Sequence, residues 1–171
     1  MHKWFVRLTT VALPVTIAAV AALATPAALA GDQIPFRGSD LGGFAIVGTC
    51  PGTDPIVRTD DWGSGEGTHL GRYSFRASEC VNLASFAVTN GSFTITAANG
   101  DTVRGSYAGQ AAAVQGSPCD ITYDVQGPVT GGTGRFQGAT GHLRWKGFAN
   151  LCAGTLGDEI SGTISSVGSN N

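Results

Sequence analysis

Beyond residue 30 the apolar residues keep no helical spacing over ten positions, and they fall instead into short alternating runs broken by Gly, Asn, Ser and Pro. That is the pattern of half-buried strands separated by turns, with almost no helix. Phe44 to Val47 forms a first run. Thr68 to Ala77 forms a second, with His69, Tyr73, Phe75 and Ala77 on one face and Leu70, Arg72, Ser74 and Arg76 on the other. Three more runs, Ala84 to Thr89, Ser92 to Ala98 and Thr102 to Ala108, are divided by Asn90-Gly91 and Asn99-Gly100. Asn-Gly between alternating runs predicts a hairpin, because a type I′ turn needs positive φ at both central positions. Runs around Ile121/Tyr123/Val125, Leu143/Trp145 and Ile160/Ile164 bring the count to eight. Residues 49–66, with Pro51, Pro55 and Asp60-Asp61, read as the one long connection.

Hairpin register tests this reading. A two-residue loop at Asn90-Gly91 pairs Val88 with Phe93 and Phe86 with Ile95, placing all four on one face. The same rule at Asn99-Gly100 pairs Ile95 with Arg104 and Thr96 with Val103, which puts Val103 and Tyr107 opposite the Phe93/Ile95 face. A bulge that shifts the register, a strand covered on both faces, or an inward Arg104 would each resolve the conflict. Eight mostly sequential antiparallel strands most simply close as an all-β, eight-stranded up-and-down β-barrel, which leaves no exposed edge. A Greek-key β-sandwich is the alternative.

The first thirty residues differ from the rest. Lys3 and Arg7 precede an apolar run from Leu8 to Leu23, and Ala28-Leu29-Ala30 follows. This is the layout of a secretory signal peptide over residues 1–30, leaving 31–171 as a single secreted, extracellular domain with no membrane segment after cleavage. The formal charge of −2 becomes −4 once Lys3 and Arg7 leave with the leader. A mildly acidic chain whose remaining lysine is Lys146 has no electrostatic footprint for nucleic acid. The four cysteines, Cys50, Cys80, Cys119 and Cys152, favour two disulfides in an exported chain, and four cysteines allow three connectivities. If the strands on either side of the glycine-rich segment at 131–141 are antiparallel neighbours, Cys119 and Cys152 meet at one end, and Cys50–Cys80 follows by elimination.

That segment, Gly131-Gly132-Thr133-Gly134-Arg135-Phe136-Gln137-Gly138-Ala139-Thr140-Gly141, is a built turn with one aromatic at its centre. Gly131-Gly132-Thr133-Gly134-Arg135-Phe136, with Ala139 and Gly141, resembles the G-G-T-G-x-F-x-x-A-x-G stretch of dirigent proteins and the related stretch of allene oxide cyclases. Ala97-Ala98-Asn99-Gly100-Asp101 is similar to a hairpin of secreted bacterial relatives. The resemblance implies an eight-stranded antiparallel barrel. It also implies associated chemistries: steering of phenolic radical coupling, or cyclisation of an unsaturated fatty-acid epoxide. The matched residues themselves are structural.

No catalytic signature accompanies the two later histidines, His69 and His142. Asp60, Asp61 and Glu66 read as solvated loop acids, without the spacing of a calcium loop. No cofactor or metal is expected. Asn90-Gly91-Ser92 matches a glycosylation sequon, although its place on a turn already accounts for it. The candidates for a barrel lumen are His69, Tyr73, Phe75, Arg104, Tyr107 and Tyr123, aromatic walls with a few polar anchors. Abundant Gly and Ala leave room inside such a barrel. The functional expectation is a secreted barrel that binds a small apolar or phenolic molecule. The alternatives are a cyclase- or dirigent-type enzyme and a disulfide-stapled structural protein. Homo-oligomerisation is left open.

Overall fold

The structure, a computed structural model, describes residues 32–52 and 55–165, so the leader lies outside it. Eight strands close into one barrel in chain order: β1 (Gln33–Thr49), β2 (Ile56–Gly67), β3 (Gly71–Asn82), β4 (Ala87–Ala97), β5 (Thr102–Ala113), β6 (Asp120–Gly132), β7 (Gly141–Asn150) and β8 (Thr155–Ser165). Every neighbouring pair is antiparallel, and β1 pairs with β8 to complete the ring.

The number of strands agrees with the sequence pattern, but the partition does not. Residues 56–67 are a full strand, not part of a long connection. Asn90-Gly91 is not a turn. It is a bulge inside β4, with Asn90 at φ 54° and the register shifting between Val88 and Gly91. The chain reverses earlier, at residues 83–86, where the Asn82 side-chain oxygen accepts the backbone N–H groups of Ala84 and Ser85. The Asn99-Gly100 turn stands, but as a longer loop between Ala97 and Thr102 that pairs Ile95 with Val103. This one-residue shift settles the register conflict. Ile95 and Val103 face the core at 1 % and 0 % exposure, and Arg104 turns out to solvent.

Inward positions follow a complementary rule. The large inward aromatics sit directly opposite inward glycines on the next strand: Phe75 opposite Gly63, Tyr73 opposite Gly65, Phe93 opposite Gly105, Tyr107 opposite Gly91 and Tyr123 opposite Gly147. A Cβ at Gly63 would lie 2.5 Å from the Phe75 ring, and one at Gly91 would lie 2.6 Å from Tyr107. Each aromatic therefore lies flat over backbone that carries no side chain, which lets a narrow barrel take rings across its interior.

The two ends differ. At the end carrying the β2–β3, β4–β5 and β6–β7 loops, the interior is packed solid by Phe36, Ile95, Val103, Leu143, Ile164 and the plug residue Phe136. Both cysteine pairs stand at the opposite end. Cys50 and Cys80 have Cα atoms 6.0 Å apart, and Cys119 and Cys152 have theirs 5.4 Å apart, both at disulfide distance. The expected pairing is therefore the one present. Replacing Cys119 and Cys152 together by Ser should cost about 3–4 kcal/mol, read as a lower urea midpoint, because the pair closes a loop of 33 residues.

Candidate functional site

Above the packed end the barrel is hollow. A cavity of about 150 Å³ opens towards the cysteine-bearing end, where Ile46, Leu83 and Leu151 are exposed around its mouth. One wall is aromatic and aliphatic, built by β4 to β7. Phe93 meets Trp145 edge-on at 4.8 Å between ring centres, and Tyr107 lies 5.7 Å from the same indole. Val88, Ala111 and Val125 fill the spaces between them.

The other wall is acidic. Strands β8, β1, β2 and β3 turn Asp158, Asp40, Asp61 and Glu79 inward, and all four line the cavity. Asp40 and Asp158 are cross-strand partners, and Glu79 stands opposite Thr59, two residues before Asp61. Tyrosines bind these acids, two of them reaching across from the opposite wall. The Tyr107 hydroxyl donates to Glu79 at 2.5 Å, and Thr59 donates to the same carboxylate at 2.6 Å. The Tyr73 hydroxyl donates to Asp40 at 2.9 Å. Tyr123 reaches over Gly147 to Asp158.

No Lys, Arg or His is among the described residues lining the cavity, so nothing in the wall neutralises these acids. Burial pushes the Asp61 carboxyl up to about 9, helped by the charge on Glu79, and pushes Asp158 up to about 8, helped by Asp40. Burial also raises Asp40 and Glu79, held back by the hydroxyls that donate to them. The acids thus form two pairs, Asp61 with Glu79 and Asp158 with Asp40, in which the first-named member keeps its proton at neutral pH. Burial and the neighbouring carboxylates drive the three tyrosine hydroxyls further above their ordinary value, so they remain donors.

Of the residues singled out from sequence, Phe75, Tyr107 and Tyr123 line this cavity. Tyr73 lies beside it, bonded to the acidic wall through Asp40. His69 does not face the lumen. It sits exposed in the β2–β3 turn at φ 66°, and its Nε2 donates to the Pro35 carbonyl at 3.1 Å. Arg104 is likewise outside, for the register reason given above. Asp60 and Glu66 face outward from β2 beside Arg58 and Arg72, whereas Asp61 turns in, so this is not the solvated loop expected. Asp40, Glu79, Asp158 and Trp145 were not singled out. The signal that marks them is period-two spacing from inward apolar neighbours: Phe36, Asp40 and Phe44 share one parity, as do Leu156, Asp158 and Ile160.

Among the described residues, no group of three or more His, Cys, Asp and Glu is spaced to hold a metal ion. A wider, more open depression is lined from β1, β2, β5, β6, β7 and β8, with Leu41 and Phe148 exposed on either side of Gly157; it shares Asp40 and Asp158 with the lumen, whereas Asp61 and Glu79 line the lumen alone. In comparison with known proteins, no family model, no curated protein and no solved structure matches this chain.

Proposed function

We propose that this protein is a secreted barrel that holds one small, mostly apolar molecule, of the size of a single aromatic ring, in its lumen. The observation that carries the reading is the cavity: an aromatic and aliphatic wall faces a wall of four convergent carboxyls, apolar surface with polar anchors as in small-molecule sites. A cavity of about this volume has room for a benzene-sized guest. A phenolic ring fits the same space with its hydroxyl towards the tyrosines and carboxyls. Two cysteine pairs at disulfide distance are compatible with an oxidising, extracellular setting, and the signal-like leader supports export. The glycine-rich loop resembling that of dirigent proteins and allene oxide cyclases adds a barrel precedent for lumen chemistry, by analogy of fold alone.

One observation favours an enzymatic variant of this reading. Asp158 and Asp61 hold protons near neutral pH inside a largely enclosed pocket, the condition of a general acid poised for a cyclisation-type reaction. Native mass spectrometry of the protein secreted by its own host tests both variants. A reproducible adduct at about one-to-one stoichiometry, lost on replacing Ala111 by Phe, supports lumen binding, and incubation of the released compound with fresh protein then tests for turnover. Ala111 is 3 % exposed and lines the cavity, so a phenyl ring there occupies the ligand's space. No adduct, together with no response of tryptophan emission to any single-ring compound in a Trp62→Phe background that leaves Trp145 as the reporter, overturns the binding reading.

A further inference from the structure

The acidic wall of the lumen calls for a partner that the barrel itself does not supply. Asp40 is 6 % exposed and lines the cavity, yet apart from the proton it shares with Asp158 its Oδ1 receives no hydrogen bond. The Oδ1 atoms of Asp61 and Asp158 likewise meet no donor beyond the protons these acids share with Glu79 and Asp40. Buried acceptors in folded proteins are nearly always satisfied, and those left open point to a missing water, ion or ligand. A carboxyl away from water and away from any cation is expensive to keep, and four in one wall are more so. Within the barrel itself only retained protons and the Tyr and Thr hydroxyls ease that cost.

We infer that the ligand of this lumen carries a protonated amine on its apolar ring, the ammonium seated against Asp40, Asp61 and Asp158. This inference rests on the lumen-binding reading and names the chemistry of its guest. An ammonium presents three donors and no acceptor, so it can serve the Asp40 and Asp158 carboxyls, which are cross-strand partners, with Asp61 adding its charge from the neighbouring strand. The facing wall of Phe93, Tyr107 and Trp145 offers ring faces to the apolar body and to the charge, and a cation over an aromatic face is attracted by the ring quadrupole. A metal ion fits less well, because the described acids are not spaced to ligate one.

The titratable groups facing the ammonium are Asp40 from β1, Asp61 from β2, Tyr73 and Glu79 from β3, Tyr107 from β5, Tyr123 from β6 and Asp158 from β8. Among the residues lining the cavity, β4 and β7 contribute none. The tyrosines stay protonated, so the acids alone respond. A bound ammonium replaces the retained protons, and binding must therefore release protons into solution.

The test compares three ligands of one size: benzylamine, benzyl alcohol and benzoate, titrated calorimetrically at pH 7.5 in two buffers of different ionisation enthalpy. The expected result is benzylamine binding at least about tenfold more tightly than benzyl alcohol, benzoate weakest, and release of about one proton with the amine only. In Asp158→Asn, and separately in Asp61→Asn, the amine-to-alcohol ratio should fall to about threefold or less. Equal binding of amine and alcohol, or preference for benzoate, overturns the inference and leaves lumen binding standing. An amine preference that survives both variants places the amine elsewhere and also overturns it. If none of the three binds, the lumen reading itself fails.

Discussion

Stability of the barrel should fall as the pH rises from 5 to 9, and Asp61→Asn should remove much of that fall. In the unfolded chain both aspartates titrate near 4. In the folded barrel Asp158 holds its proton up to about 8 and Asp61 up to about 9. Between those limits the folded state binds more protons than the unfolded state, so stability falls with rising pH, by up to about 1.4 kcal/mol per unit for each group. The contribution is fully present below about pH 4 and is lost once the pH passes the folded values. Asp124 acts in the opposite sense, because Arg144 holds its carboxyl below the usual range, but that pair lies open to solvent on the outer face and counts for little. Urea midpoints at pH 5, 7 and 9 and constant ionic strength check the sign. Asn at position 61 keeps a donor towards Glu79 and removes the charge that must be buried at high pH. The variant should therefore gain stability at pH 8, on the order of 1–3 kcal/mol, and show a flatter profile. A midpoint that rises from pH 5 to pH 9 instead means that these carboxyls are ionised and hydrated in the folded lumen.

The same acids mark where sequence pattern stops being a guide. Strands with apolar inward faces, such as β6 with Ile121, Tyr123 and Val125, announce themselves by alternation. Strand β2 turns Val57, Thr59, Asp61, Gly63, Gly65 and Gly67 inward, a series that reads as a loop because half of it is empty space. The emptiness is supplied from outside the strand: Phe75, Tyr73 and Phe36 lie over the three glycines. Their alternate spacing was the available cue, and it has meaning only once a neighbour is known to bring a ring. The Asn90-Gly91 pair misleads for a related reason. Asn-Gly suits a two-residue hairpin, yet a bulge also accepts Asn at positive φ, and here the bulge sets Gly91 beneath Tyr107. The cysteine pairing was legible because it needs only which strand ends coincide. The acidic wall was not, because it is assembled from single residues on four strands, each of which alone looks like a polar surface position.

Phe136→Ala should be the most damaging single truncation at the packed end, costing about 3–5 kcal/mol in urea unfolding. Phe136 is 1 % exposed at the end of the 3₁₀ turn Gly134–Phe136, inside the cluster formed by Phe36, Val103, Leu143 and Ile164. The loop that presents it is fixed from three sides. Thr102 N–H donates to the Thr133 hydroxyl at 3.0 Å, Arg135 pairs with Asp101 at 3.5 Å, and Ala139 N–H donates to the Phe136 carbonyl at 2.9 Å. Gly134 takes φ 57° hard against Asp101, where a Cβ would lie 1.8 Å from Oδ1. A loop held this firmly does not collapse into the space a truncated ring leaves, so the cavity term is paid nearly in full. The loss should be independent of pH between 5 and 9, since the described lumen acids lie towards the other end. Parallel pH profiles for Phe136→Ala and the parent, offset by a constant amount, would separate the plug that closes the barrel from the acidic wall that gives it its chemistry. Converging profiles would mean that opening this end admits water as far as Asp61 and Asp158.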